Sequence, residues 1–230
     1  IELDGTAANT PFLVTVQSGT SGIYQKRLGT DLQTTSLSTW QHYAIKLENT
    51  GSNAFQTKLY VTGTLNDTNR YVGSLNELNS KDMVGRLGAL LTAPSGTAAS
   101  AGAGKLSGSI DELRFWKEKR SANDIARYYF TQIRGGVNTD ISNTTLGVYY
   151  KFNEGNTLTS SVDNTVLDYS GRLSNGTWTG YGTNSRRTES AIVEATASAT
   201  EYKDPIIYST HPDVVTLKTG LLSSGSYHDA

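Results

Sequence analysis

The chain has 230 residues, with 20 basic and 21 acidic side chains and a formal net charge of −1. That length buries one sizeable core, or one domain and part of another. The charges are scattered rather than blocked, which speaks against nucleic-acid and membrane-surface partners; no apolar run approaches the roughly 20 residues that cross a bilayer, and the absence of cysteine removes disulfides and thiolate metal chemistry.

Thirteen Tyr, 23 Gly and four Pro in a background of Thr, Ser and Asn predict short strands joined by polar turns, an all-β chain. The start at Ile1, without Met or a signal-type apolar core, is read as a fragment or a processed product. A cysteine-free, Ser/Thr/Asn/Gly-rich texture fits bacterial surface and virion proteins better than secreted animal modules.

In chain order, Pro11 to Gln17 reads as a buried strand, Ser18 to Gly22 as a turn, and Ile23 to Leu28 as the second arm of a hairpin. From Trp40 to Glu48, Tyr43, Ile45 and Leu47 alternate with Ala44, Lys46 and Glu48, the period-two pattern of a strand with one wet face. Lys58 to Thr62 repeats it, with Leu59 and Val61 opposed to Lys58, Tyr60 and Thr62. Asn66-Asp67-Thr68-Asn69 reads as a polar loop. Its oxygens suit a hard cation such as calcium but lack EF-hand spacing, and turn chemistry alone also accounts for them.

Thr92 to Gly104 is almost entirely Ala, Gly, Ser and Thr, side chains too small to set a strand register, and reads as an exposed, mobile loop. Gly108 to Trp116 then reads as a strand. Ser121 with Asp124 three residues on supplies the two halves of a helix cap, and the spacing of Ile125, Tyr128 or Tyr129 and Ile133 predicts a helix from Asp124 to Ile133, ended by Gly135-Gly136.

Gly108-Ser109-Ile110-Asp111-Glu112-Leu113-Arg114-Phe115-Trp116 followed by that capped helix resembles the last strand and closing helix of the laminin-G-like, concanavalin A-like lectin/glucanase sandwiches. Trp40 to Leu47, Lys58 to Gly63 and Val84 to Gly88 resemble upstream blocks of the same family in its order, so the resemblance covers about residues 30–130. It implies an antiparallel jelly-roll β-sandwich with one short helix after the closing strand. Because that sandwich hosts lectins, adhesion modules and hydrolases, fold alone leaves function open.

Gly147 to Gly155, with Asp168-Tyr169-Ser170-Gly171 and Asn175-Gly176-Thr177, is similar to the family's opening strand and following turn, but comes after the closing block. The domain reading is therefore 1–135 as the sandwich, 136–182 as strands that either complete it as a permutant or begin a second module, and 183–230 as an extended linker or arm.

A hydrolase of the related glucanase type would carry Glu-x-Asp-x-x-Glu on one strand, with both carboxylates on one face. Glu2-Leu3-Asp4-Gly5-Thr6-Ala7 has the first two residues and fails at the third, since Ala7 cannot move a proton. Asp111 and Glu112 are adjacent and so point to opposite faces. Asp111 is a calcium candidate by resemblance to lectin relatives, or a partner for an arginine such as Arg114. His42, His211 and His228 find no nucleophile elbow, and His42 is read as structural. Asn66, Asn143 and Asn175 fit a glycosylation sequon at chance frequency.

Sugar recognition rests on aromatic faces and on amides, which makes Tyr169, Asn175, Trp178 and Tyr181 the carbohydrate candidates, while Trp40 and Trp116 read as core by position. Asn66, Asp67, Asn69 and Asp111 are the calcium candidates, with no cofactor required. The expectation is a non-enzymatic structural and binding module. The texture of residues 110–215 resembles large structural proteins of tailed bacteriophages, which implies a virion or extracellular appendage, partners among other copies or other virion proteins, and host-surface glycans as ligands. The alternatives are a bacterial adhesin or fibre protein and a glycan hydrolase.

Overall fold

The computed structural model describes residues 1–4, 9–18, 21–32, 40–73, 75, 85–88, 106, 108–131, 133, 145–155 and 157–178. All belong to one unit, Ile1–Glu194. The second unit, Ala195–Ala230, lies outside the described residues, as do the expected loop 92–104 and arm 183–230.

The first sheet has the order β1 (Glu2–Leu3), β2 (Phe12–Ser18), β3 (Ser21–Leu28), all antiparallel. Ile23 and Leu28 lie five residues apart, an odd spacing that in a regular strand sends them to opposite faces. Both are nonetheless buried, because the pairing slips between Val14↔Lys26 and Val16↔Ile23. Gln25 sits there at φ +43 with its N–H on Thr15 Oγ1 at 3.0 Å, a bulge that resets the alternation.

The second sheet has the order β4 (Tyr43–Gly51), β5 (Ala54–Val61), β6 (Thr64–Val72). Phe55 and Leu59 of β5 are fully buried against Phe12, Val14, Ile23, Leu28 and Leu32, with Tyr43, Ile45, Val61 and Tyr71 packed at the margin. Two antiparallel sheets facing each other across this cluster make an all-β sandwich. The hairpin expected from residues 11–28 is present, and β4 and β5 form where alternation placed them. The wet face differs from expectation: Leu47 of the apolar row is 40% exposed, whereas Tyr60 of the opposite row is buried and Lys46 and Glu48 are drawn into an ion pair.

Four local expectations are corrected. Asn66-Asp67-Thr68-Asn69 is no loop but the middle of β6, where alternation turns Asp67 and Asn69, opposite Leu59 and Thr57, towards the first sheet. The closing strand is shorter than Gly108–Trp116: β7 is Leu113–Trp116, since Glu112 at φ +53 leaves extended geometry just before it. The helix, α1 (Ala122–Tyr128), begins two residues before Asp124 and stops well short of Ile133. Trp40 is 55% exposed and not a core residue.

The cap itself forms as expected: Ser121 Oγ accepts from the Asp124 N–H at 3.1 Å and donates to the Asp124 carboxylate at 2.7 Å. The helix seats on the turn between β5 and β6, where Gly63 has φ +78. A Cβ there would stand 2.6 Å from the Tyr129 ring and 3.1 Å from the Ala126 backbone, so glycine is needed for both reasons.

Beyond α1, β8 (Leu146–Tyr150) returns to pair antiparallel with β7, Leu113 opposite Tyr150 and Phe115 opposite Val148. A short helix, α2 (Ser160–Asp163), then leads into β9 (Thr165–Val166), which pairs with β10 (Gly176–Thr177).

Phe55→Ala empties the centre of the core, and the expected loss is about 3–5 kcal/mol in denaturant unfolding. Leu47→Ala, on the same face of the sheet in the neighbouring strand β4 but exposed, is expected to cost about 0.5 kcal/mol or less.

Candidate functional site

Two of the four carbohydrate candidates, Tyr169 and Asn175, meet at Asp168. Its buried carboxylate accepts from the N–H groups of Tyr149 at 2.9 Å, Ser170 at 2.9 Å and Ser174 at 3.0 Å, and from Ser170 Oγ at 2.8 Å. Burial pushes the carboxyl upward, but these four donors outweigh it and hold the group below its usual range. Tyr169 N–H donates to the Tyr149 carbonyl at 2.8 Å, and a bridge pairs Tyr150 with Asp168, so the turn is bound to the edge of β8.

On that frame the Tyr169 ring is half-buried, edge-on to Tyr149 at 6.3 Å, with Lys151 Nζ 4.9 Å from its centroid. Asn175 Oδ1 accepts from Asp168 N–H at 2.9 Å, which leaves its amide NH2 without a partner among the described residues. Trp178, half-buried, follows β10 and anchors by its N–H to the Asn164 carbonyl at 2.6 Å. Tyr181 lies outside the described residues, as do Asn143, His211 and His228. The structure therefore ties Tyr169 and Asn175 to one turn. Lys151, which the sequence reading passed over, joins them because it directly follows Tyr149 and Tyr150 on the strand that holds Asp168.

The calcium candidates have other partners. Asp67 Oδ2 accepts from Gly29 N–H at 2.8 Å and from Asn69 Nδ2 at 3.0 Å, and its Oδ1 from Thr68 N–H at 2.7 Å. Asn66 exchanges two bonds with the Thr30 backbone at 2.9 and 3.0 Å, and Asn69 Nδ2 reaches the Arg27 carbonyl at 3.3 Å. The segment is a latch between the two sheets, its oxygens committed to N–H donors. Asp111 lies apart from it, half-buried in the turn before β7. No group of three or more His, Asp or Glu side chains suited to a metal occurs among the described residues.

A second polar node lies where α1 meets β7 and β8. Arg114 donates to the Tyr128 carbonyl at 3.0 Å and to the Thr131 carbonyl, holding the last residue of the helix and the turn after it. It pairs at 3.2 Å with Glu112, the neighbour of the expected partner Asp111, and Glu112 also accepts from the Tyr149 hydroxyl. Burial, and next the Glu112 charge, push that phenol well above its usual range. His42 packs its ring 5.6 Å from Tyr129. Burial first, and the Arg114 charge second, lower its pKa to about 4, so near neutral pH it is an uncharged packing residue.

The two carboxylates that resemble a glucanase pattern are held by the first sheet. Asp4 pairs with Arg27 at 2.8 Å, and Glu2 accepts from Gln25 Nε2 at 3.2 Å. Ala7 lies outside the described residues.

The comparisons with known proteins agree with the all-β sandwich. The family described as the concanavalin A-like lectin/glucanases superfamily matches residues 2–126, more than half of the chain. The chain belongs to this superfamily, whose lectins and glucanases suggest a carbohydrate-binding module. A search of curated proteins and a search of solved structures each returned no match.

The His42 shift sets a pH dependence. A base whose folded pKa lies near 4 and whose free value is 6.5 binds more protons unfolded, so its contribution falls as pH drops through that window. Tm is expected to decline from pH 6.5 to 4, and His42→Gln to flatten the decline in a calorimetric pH series; an unchanged slope would refute this assignment.

Proposed function

We propose that the chain is a non-enzymatic glycan-binding and structural module of a virion or extracellular appendage. The observation that carries the glycan part is the match to the lectin/glucanase superfamily, and the Tyr169 face supports it. A half-buried aromatic ring on a turn, with an ammonium group over it and near an amide NH2 that has no partner among the described residues, offers a stacking surface with donors for sugar hydroxyls.

The non-enzymatic part draws on the carboxylates. A retaining or inverting glycosidase needs two carboxyl groups free to act at the glycosidic bond, one as general acid and the other as nucleophile or as general base on water. Here Asp4 is paired with Arg27, Asp168 accepts four donors, and the buried Asp163 accepts from the Thr157 N–H and hydroxyl. The virion setting, with other copies or other virion proteins as partners, draws on the resemblance of residues 110–215 to tailed-bacteriophage structural proteins.

A glycan array run with calcium and with chelator tests the binding. Tyr169→Ala is expected to weaken the best neutral ligand by about tenfold or more, and Tyr169→Phe to retain it. Release of reducing sugar from the same ligands is expected to stay at the buffer blank. Turnover that Glu2→Gln abolishes would overturn the non-enzymatic reading.

A further inference from the structure

Alternation along the second sheet sets one row of side chains against the core and the other on the opposite face. Cross-strand pairing places Glu48, Gln56 and Arg70 in one rank of that opposite face and Lys46, Lys58 and Thr68 in the next. Lys119, from the segment between β7 and α1, reaches the same spot. Lys46, Lys58 and Lys119 lie 3.1, 3.1 and 3.4 Å from the single carboxylate of Glu48, which also accepts from Gln56 Nε2 at 2.5 Å.

Three cations therefore share one anion. Lys46 and Lys58 are directly opposed on neighbouring strands, an arrangement that like charges make unfavourable. Their side chains are only 13% and 22% exposed, so water screens them incompletely. Glu48 neutralises one charge; burial raises its pKa, but the hydrogen bonds of Lys58, Lys46 and Gln56 outweigh this and bring it to about 2, so it stays ionised at any ordinary pH. Arg70, exposed, has no acidic partner among the described residues, and Lys119 is 64% exposed. A purely structural ion network would balance its charges. Among the described residues this one keeps a surplus of positive charge around a fixed carboxylate, with Lys119 exposed beside it and Arg70 exposed in the same rank on β6.

We infer that this face of β4–β6 is a binding site for an anionic saccharide, whose sulfate or carboxylate group supplies the missing negative charge to Lys58, Arg70 and Lys119. The deeper Lys46 contributes by its field. For the saccharide class the inference rests on the glycan-binding reading above, but the site is distinct from the Tyr169 face and uses none of its residues.

The test measures binding of a heparin-derived octasaccharide, an oligogalacturonide, a neutral maltooctaose and a single-stranded DNA dodecamer to the full chain at low and high salt. Arg70→Gln and Lys119→Gln, both at exposed positions, are each expected to weaken the acidic oligosaccharides about three- to tenfold. Glu48→Gln, by removing the resident carboxylate, is expected to tighten them by a similar factor; Tyr169→Ala is expected to leave them unchanged. Preference for the sulfated or the carboxylated probe identifies the acidic group. Indifference of both acidic probes to Arg70, Lys119 and Glu48 overturns the inference while leaving the neutral-glycan reading to its own array test. Tighter binding of the DNA with the same residue dependence overturns the saccharide assignment.

Discussion

Strand β5 has to satisfy two unlike environments at once, and the rest of the molecule is arranged around that constraint. It is flanked by a strand on each side, so its odd-numbered residues Phe55, Thr57 and Leu59 meet the first sheet while Gln56, Lys58 and Tyr60 face away. The apolar side supplies the burial that joins the sheets. The other side concentrates ionic groups on a surface too rigid for them to spread apart. One residue of slippage would exchange the two rows, which is why the register of β5 sets both the core and the chemistry of the outer face.

Polar side chains then do work that apolar packing cannot. Asp67 and Asn69 point inward at the margin of the core, and they satisfy backbone groups of Arg27 and Gly29 at the end of the first sheet. A buried N–H without such a partner would be costly, so the latch both closes the sandwich edge and aligns the sheets. Arg114 plays the corresponding part for the later elements. One guanidinium collects the end of α1, the Glu112 carboxylate and the face of the Tyr149 ring, so that helix and strands share a single anchor.

Function follows from how these supports distribute charge and aromatic surface. Carboxylates at Asp4, Asp67, Asp163 and Asp168 are all engaged in holding backbone or neighbouring side chains. On the function proposed above, recognition falls to two faces. The turn at Asp168 presents Tyr169 beside Lys151, and the outer face of β4–β6 presents cations around Glu48. They suit different parts of a glycan, one its ring faces and the other its acidic substituents.

Much of this is written in local pattern. Alternation from Tyr43 to Leu47 and at Leu59 and Val61 disclosed strands, because a period of two survives any tertiary arrangement, but not burial, since Leu47 is exposed and Tyr60 covered. Ser121 and Asp124 disclosed a helix start, since a cap is satisfied within four residues. What the sequence could not decide was set by contacts distant along the chain. Asn66 to Asn69 looked like a loop because polar side chains are ordinarily outside, and only the first sheet, some 40 residues upstream, turns them into inward partners. The pairing of residues 146–150 with 113–116, the bulge at Gln25 that brings Ile23 and Leu28 to one face, and the meeting of Lys119 with Lys46 and Lys58 at Glu48 all belong to the fold. Each depends on which strand lies beside which, a choice made by burial over the whole molecule rather than by any short stretch of residues.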